Sequence, residues 1–288
     1  MIMGENRGAV VDNIKAAVGR GDFHAKVELG DPVLTEAESK AITDGFLRRR
    51  TSPVYKVKSF AARRIANTAT RIINRDTEIV GVENLSGLRS GAIITSNHFG
   101  PLENTIIRYM VKQCGGKKLN TVSQVTNFAM PGFIGFIMNY ADTIPLSEDP
   151  RYLARDFLSV IEEKIKKNET VLIYPEQEMW FNYRKPRPLK RGAYHFAAKL
   201  GVPVISCFVE IIDLEEEDAQ EFSKVRYRLH ILGTLHPDKA KSVRESSEEL
   251  CEKDYALKKA AYERIYGKPL DYDFDASDIA GWSGDSDE

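Results

Sequence analysis

The sequence predicts an α/β fold, a single domain with a mixed central sheet flanked by helices and preceded by a helical N-terminal region. Short apolar runs of the kind buried in a central sheet occur at residues 91–95, 170–174 and 202–209. Helical periodicity fills the intervals between these runs. Such alternation of strands and helices is typical of layered α/β domains.

The helices that follow from this periodicity lie in the second half of the chain. Residues 151–168 carry apolar side chains at three- and four-residue spacing, and residues 191–200 form a second helix that Gly201 ends. Residues 242–266 predict a long, charged C-terminal helix. The strand at 225–231 alternates apolar and basic side chains, so we expect it near an edge of the sheet.

A predicted helix at residues 55–75 lies inside a strongly basic segment. Nine basic residues and no acidic one occur between Arg48 and Arg75. The apolar stripe of the helix consists of Val57, Ala61, Ile65, Ala69 and Ile72. The pattern fits either a surface helix packed on the core or a helix lying on an anionic membrane. Nucleic-acid binding is a weaker interpretation, because aromatic residues are sparse and no base-reading module follows.

Charge and periodicity together divide the chain into three regions. Residues 1–76 are the helical N-terminal region with the basic, membrane-proximal helix, and residues 77–266 are the α/β domain. Residues 267–288 are an acidic tail, with seven acidic and no basic side chains from Asp271 onward. Composition of this kind predicts a disordered, solvated tail.

Composition excludes several classes of protein. The 288 residues carry 41 basic and 42 acidic side chains, so the net charge of −1 gives no bulk affinity for nucleic acid. Three scattered cysteines favour a reduced, cytosolic-facing compartment over a disulfide framework. The first 22 residues lack the apolar core of a signal peptide. The clean apolar run at 128–138 is too short to span a bilayer, so we expect it either to pack in the core or to line an acyl groove and meet the bilayer.

One histidine stands out by its position. His98 directly follows a predicted buried strand, and the Gly100-Pro101 pair comes two residues later, which predicts a sharp turn into a helix. Glu103 would fall at the third helical position, from which its carboxylate can bend back toward His98. A carboxylate that fixes the tautomer of an imidazole and raises its basicity makes a general base. The alternative is that Glu103 only favours the start of the helix electrostatically.

Five collinear blocks resemble the glycerolipid acyltransferases, the family that includes 1-acylglycerol-3-phosphate acyltransferase. The blocks are Asn97-His98-x4-Glu103, similar to N-H-x4-D; Gly132 to Leu146, in the place of the G-x-x-F-I…P block; Val171 to Glu176, similar to V-x-I-F-P-E; Pro188 to Ala193, similar to P-F-K-x-G-A; and Gly201 to Ile205, similar to G-V-P-V-[IV]. Together they cover roughly residues 77–235.

The resemblance implies a glycerol-3-phosphate acyltransferase-like fold and a specific chemistry. A fatty acyl group would pass from acyl-CoA or acyl-carrier protein to the hydroxyl of a lysophospholipid, with 1-acyl-sn-glycerol-3-phosphate as the expected acceptor. His98 would take the proton of that hydroxyl and Glu103 would orient the histidine, while Asn97 and Glu176 would bind the substrate. No metal or cofactor is implied besides the thioester co-substrate. The expected partners are lipid, thioester and an anionic membrane surface at the cytoplasmic face, with no nucleic acid.

Two departures from the family pattern bear on the acceptor. The motif acid is Glu103 where the family has Asp, and one extra methylene requires a slightly different local backbone. The family's P-E-G-[TS]-R is here Pro175 to Met179, which lacks both the glycine and the phosphate-binding arginine. The cations that follow are Arg184, Lys185, Arg187 and Lys190. They either replace that arginine or form a solvated basic loop.

Two other functions remain open on the sequence. Because the phosphate-binding arginine is missing, the acceptor can instead be a lipid without a phosphate, such as an amino-acid lipid or a glycolipid. A catalytically silent membrane-binding protein on the same fold is the alternative from another class. His98 and the Pro175-Glu176 pair argue against it, since a silent protein has no physical need for either.

Overall fold

A computed structural model of the chain describes residues 6–30, 32–219 and 221–284. Within these residues a seven-stranded mixed sheet forms the centre of the fold. The strands are β1 (Glu78–Val80), β2 (Ala92–Thr95), β3 (Leu119–Gln124), β4 (Thr143–Leu146), β5 (Thr170–Leu172), β6 (Val204–Ala219) and β7 (Phe222–Leu235). Their order across the sheet is β1-β7-β6-β2-β5-β3-β4. The five strands from β6 to β4 run parallel, and β7 is antiparallel to β6. The predicted fold class is confirmed.

Helices cover both faces of this sheet. They are α1 (Arg7–Gly19), α2 (Glu36–Arg49), α3 (Pro53–Ile73), α4 (Asn104–Gln113), α5 (Gly132–Tyr140), α6 (Leu158–Lys166), α7 (Gly192–Leu200) and α8 (Val243–Tyr266). Side chains of β2 alternate between the faces, because successive residues of a strand point to opposite sides. Ile94 packs with the buried face of α4, whereas Ile93 packs with α6 and α7. The C-cap of α7, Gly201, has the left-handed φ of 66° that favours glycine.

The strands that the sequence pattern did not predict are β1, β3 and β4. β3 has the sequence LNTVSQ, in which polar residues interrupt the apolar run. β4 contains Pro145, which a sheet tolerates at its edge, and β4 is the edge strand. β1 occupies the opposite edge, so the predicted near-edge strand, β7, is second from the edge.

A buried ion pair fastens the C-terminal helix α8 to the ends of two central strands. Lys258 and Asp254 are both fully buried, and their charged atoms lie 2.5 Å apart. Asp254 also accepts hydrogen bonds from Thr95 of β2, at 2.6 Å, and from Ser206 of β6. Burial alone would raise the pKa of Asp254, but the charge of Lys258 and these hydroxyl groups hold it below its usual value.

Helix α3 packs through small residues and leaves its apolar stripe outside. Its buried positions include Ser59 and Ala62, whereas Val57 is 70% exposed and Ile72 is 66% exposed. Arg63 fixes the helix to the domain through two hydrogen bonds to the buried Asp142, at 2.8 and 3.1 Å. The sequence pattern fitted either packing on the core or binding to an anionic membrane. In the structure this stripe does not pack on the core.

The acidic tail is ordered through Gly284, which differs from the prediction of a disordered segment over 267–288. Ile279 lies buried in an apolar cluster with residues of α1. Asp278 is fully buried and pairs with Lys185 at 2.7 Å and with Lys268 at 2.9 Å. The tail folds because its carboxylates neutralise lysines and its apolar side chains complete a core. Composition alone reveals neither of these interactions. Residues 285–288 lie outside the described residues.

Across the described part of the chain, no helix is both long enough and apolar enough to cross a membrane.

Candidate active site

The candidate site lies where the central parallel strands end. The chain leaves β2 at Thr95 and reaches His98 three residues later, and it leaves neighbouring β5 at Leu172 and reaches Glu176. Loops at the carboxyl ends of parallel strands meet at one edge of the sheet, where open α/β folds place their sites. The two motif loops therefore converge although 78 residues separate them.

His98 and Glu103 form a hydrogen-bonded pair. His98 Nδ1 contacts Glu103 Oε1. Nε2 has no hydrogen-bond partner among the described residues, and the ring is 21% exposed. The second oxygen of the buried carboxylate accepts hydrogen bonds from the backbone N–H groups of Phe99 and Gly100. A carboxylate at Nδ1 stabilises the tautomer that presents an unprotonated Nε2 to a substrate.

The turn that joins these residues differs from its prediction. Pro101 was expected at the first helical position, but α4 begins three residues later at Asn104, with Glu103 as its N-cap. Residues 101–103 form a separate turn. The longer glutamate side chain spans this turn and reaches both the imidazole and the backbone of Phe99 and Gly100.

Glu176 binds the backbone of His98 and does not face an open substrate pocket. Its Oε2 accepts a hydrogen bond from the His98 N–H at 3.2 Å. The same carboxylate pairs with Arg187, whose Nη2 lies 3.1 Å from Oε2. Both side chains are buried, at 2% and 1% exposure, and Arg187 also stacks over Trp180. In this structure Arg187 is an internal counter-ion, whereas the sequence predicted a substrate-binding role.

The residue after Glu176 has a backbone conformation that favours glycine. Gln177 has a φ of 70°, in the left-handed region that favours glycine. Downstream, the backbone of Trp180 donates to the His98 carbonyl at 3.1 Å, and that of Asn182 donates to the Phe99 carbonyl at 2.9 Å. This loop therefore holds the backbone of His98 and Phe99.

The side chain of Asn97 also forms hydrogen bonds with the backbone. Its side-chain amide donates to the Val209 carbonyl at 3.0 Å, and its Oδ1 accepts from the Val209 N–H at 2.8 Å. These bonds tie the β2 loop to β6. The side chain is buried, so the structure does not present it to a substrate.

The remaining predicted cations have different environments. Arg184 contacts Asp213 at 2.6 Å and the Ser277 carbonyl at 2.5 Å, and Lys185 pairs with Asp278 and Asp271. Lys190 is exposed, and its backbone N–H donates to the Pro175 carbonyl at 2.8 Å. Of the four candidate cations, Lys190 is thus the one that the structure leaves at the surface.

Two neighbours of the His98–Glu103 pair were not predicted from the sequence: Tyr174 and the segment around His24. The ring of Tyr174 stacks on His98 with centroids 4.1 Å apart and planes 8° from parallel. The N-terminal segment around His24 crosses the Glu176 loop, with His24 Nδ1 3.4 Å from the Glu176 carbonyl oxygen. Trp180 Nε1 also donates to the Ala25 carbonyl at 2.9 Å. Tyr174 lies inside a recognised block, but no sequence signal connects residues 24 and 176.

Known proteins resemble this chain in sequence and in fold. Residues 76–210 match the family model described as Acyltransferase. Two curated plant relatives are each 32% identical to this chain, over 130 and 167 residues. Residues 76–210 of this chain therefore resemble the acyltransferases that the sequence blocks indicated.

The two relatives are named for one reaction. Both are chloroplastic 1-acyl-sn-glycerol-3-phosphate acyltransferases, from Brassica napus and Arabidopsis thaliana. The alignments cover 45% and 56% of this chain, and 36% and 44% of the relatives, so the chain spans less than half of their length. The crystal structure of a 1-acyl-sn-glycerophosphate acyltransferase from Thermotoga maritima shares the fold. Its TM-score is 0.50 at 18% identity, with 82% of this chain and 99% of that one covered.

Proposed function

We propose that this protein transfers an acyl group from a thioester, acyl-CoA or acyl-carrier protein, to the hydroxyl of a lysophospholipid. The observation that carries the proposal is the His98–Glu103 pair at the carboxyl edge of the sheet, with Nε2 of the imidazole free. The match of residues 76–210 to the Acyltransferase family model supports the reaction type.

The chemistry follows from the free imidazole nitrogen. His98 Nε2 takes the proton of the acceptor hydroxyl as its oxygen attacks the thioester carbonyl. The carboxylate of Glu103 stabilises the imidazolium that forms. When the tetrahedral intermediate collapses, the carbon–sulfur bond breaks, and the imidazolium returns the proton to the departing thiolate. The products are the acylated lipid and the free thiol.

The acceptor that the relatives' names favour is 1-acyl-sn-glycerol-3-phosphate. One structural observation favours the second candidate, a lipid without a phosphate. Lys185 and Arg187 are paired with the buried carboxylates of Asp278 and Glu176, and Arg184 is paired with the half-exposed Asp213. A buried phosphate without a cationic partner is costly. If the acceptor is a phosphomonoester, Lys190 is the surface cation of this loop that remains to bind it.

A panel of acceptors distinguishes these candidates. We expect release of free thiol from acyl-CoA in the presence of 1-acyl-sn-glycerol-3-phosphate. Mass spectrometry identifies the acylated product. Lys190→Gln should raise the KM for this acceptor several-fold, because a charge pair at an exposed lysine contributes up to about 1 kcal/mol. Lys199→Gln, an exposed lysine at the end of α7, is the matched control and should leave KM unchanged.

Three outcomes of this panel decide against parts of the proposal. Faster turnover of a neutral glycolipid or amino-acid lipid, with no effect of Lys190→Gln, would replace the phosphate acceptor by the second candidate. Acyl-carrier protein as the only active donor would exclude acyl-CoA. No thiol release with any acceptor or donor would favour the silent membrane-binding protein.

We further propose that α3 holds the protein on an anionic membrane at its cytoplasmic face. The exposed residues Val57, Phe60 and Ile72 form an apolar surface on this helix, which also exposes Lys56 and Arg64. Helix α5, which packs against α3, exposes Phe133 and Ile134. A helix with exposed apolar and basic side chains lies in the membrane interface without crossing it.

Vesicle binding tests this surface. The triple variant Lys56→Gln/Arg64→Gln/Arg71→Gln should release the protein from phosphatidylglycerol-containing vesicles, because each basic residue near an anionic surface contributes about 1 kcal/mol. Raising the salt concentration should weaken wild-type binding in the same way. A control triple, Lys199→Gln/Lys239→Gln/Lys253→Gln, removes the same charge from other surfaces and should sediment with vesicles like wild type. An equal loss of vesicle binding in both triple variants would mean that net charge, and not α3, holds the protein on the vesicles.

A further inference from the structure

Tyr174 faces the catalytic pair without taking part in the proposed proton transfer. It follows β5 and lies directly before Pro175, and its ring covers one face of the His98 imidazole at 4.1 Å, nearly parallel. The imidazole is therefore fixed in two ways. Glu103 holds its Nδ1 edge, and the tyrosine ring defines its plane.

The hydroxyl of Tyr174 is the unusual part of this contact. Its oxygen is buried and has no hydrogen-bond partner among the described residues, while the charge of the Glu103 carboxylate acts on it. Burial, and then the charge of Glu103, raise the pKa of Tyr174 well above its usual value. The phenol is therefore protonated at any physiological pH, so it can act toward the carboxylate only as a donor.

The other charged and titratable groups around the pair are few and already engaged. Glu176 and Arg187, from the loop after β5, pair with each other and contact the His98 backbone. Tyr227, on β7, packs against Phe99 at 5.4 Å between ring centroids. Burial, and then the charge of Glu103, raise the pKa of Tyr227 to about 12, but no hydrogen bond among the described residues links it to that carboxylate.

We propose that Tyr174 is a positioning residue of the His98–Glu103 pair. Its ring fixes the plane of the imidazole, and its hydroxyl donates to Glu103 and so lowers the basicity of the pair. A hydrogen bond donated to a carboxylate spreads its charge and weakens the stabilisation that it gives to an imidazolium. This inference rests on the proposed function for its kinetic consequences only, because the basicity of His98 can be measured without a substrate.

Direct titration of His98 tests the hydroxyl. The imidazole signals of the five histidines are followed by NMR between pH 5 and 9 in the full chain, with His98→Gln used to assign the signal of residue 98. In Tyr174→Phe the stacked ring stays and the hydroxyl is removed, so the titration midpoint of His98 should rise by about 0.5–1 pH unit. Tyr227→Phe is the matched control, since it removes a phenol near the same carboxylate, and the midpoint should stay at the wild-type value.

Kinetics test the ring and connect the inference to the reaction. The acid limb of the kcat/KM profile should move upward in Tyr174→Phe by the same amount as the NMR midpoint. Tyr174→Leu removes the stacked ring, and it should lower kcat about tenfold or more while leaving KM near wild type, because a misplaced catalytic group is costly. A merely structural tyrosine would lower the folded fraction and scale the whole profile without moving its limb.

The outcomes separate this inference from the proposed function. A His98 midpoint that is unchanged in Tyr174→Phe, or that moves equally in Tyr227→Phe, overturns the role of the hydroxyl whatever the enzyme acylates. A wild-type kcat in folded Tyr174→Leu overturns the role of the ring. A shifted midpoint in a protein that transfers no acyl group would support the coupling of Tyr174 to the pair while rejecting acyl transfer.

Discussion

His98→Ala should lower kcat/KM for acyl transfer by about 10²–10⁴-fold, because it removes the proposed general base. The fold should survive the change. The N–H of His98 donates to Glu176 and its carbonyl accepts from Trp180, and both bonds use backbone atoms that alanine keeps. Alanine removes only the interactions of the imidazole ring with Glu103 and Tyr174. Free-thiol release at acceptor concentrations well below KM, with circular dichroism and thermal denaturation of the same sample, measures both kcat/KM and folding.

A matched histidine makes this result interpretable. His195 is exposed on α7, and His195→Ala should retain wild-type turnover. Wild-type turnover in folded His98→Ala would remove the mechanism proposed here. A proportional loss of folded protein and activity in His98→Ala would mean that the residue supports the loop and not the reaction.

The sequence predicted the central part of the fold because that part follows from local pattern. β2 and β5 are buried on both faces, so each is a continuous apolar run. The edge strand β4 contains a proline and β3 is interrupted by polar residues, and neither gives a strand signal. The apolar stripe of α3 identified the helix but not the direction in which it faces, since periodicity does not distinguish a core from a membrane.

The candidate site, like the fold, has one part that the sequence predicts and another that it does not. His98 and Glu103 are five residues apart, and a single turn brings them together, so their contact is predictable from spacing. The contact between Glu176 and Arg187 depends on the path of an irregular loop. The burial of that pair depends further on the N-terminal segment, whose Phe23 carbonyl accepts from Arg187 at 3.1 Å across 164 positions. A cation that the sequence suggested as a phosphate ligand is for this reason an internal counter-ion.

Glu103→Gln should lower kcat about 10²–10⁴-fold with little change in KM, a loss similar to that of His98→Ala. The reason is the direction of the hydrogen bonds that the side chain makes. One oxygen of Glu103 accepts from the backbone N–H groups of Phe99 and Gly100, and only the carbonyl oxygen of glutamine can replace it there. The glutamine NH2 then donates to His98 Nδ1, which forces the proton onto Nε2. An imidazole in that tautomer cannot accept the proton of the acceptor hydroxyl.

The matched control for this tautomer argument is Glu103→Asp, which keeps the charge and shortens the reach. A side chain with one methylene less must still bridge the imidazole and the backbone of Phe99 and Gly100, so kcat should fall between those of wild type and Glu103→Gln. Both variants are compared by kcat and KM on acyl-CoA, and by nitrogen-15 shifts of the His98 ring, which report the protonated nitrogen directly. Lower thermal stability with an unchanged rate in the folded fraction of Glu103→Gln would reduce Glu103 to a helix-capping acid. An Nε2-protonated imidazole together with a wild-type rate would instead show that the acceptor loses its proton to another group.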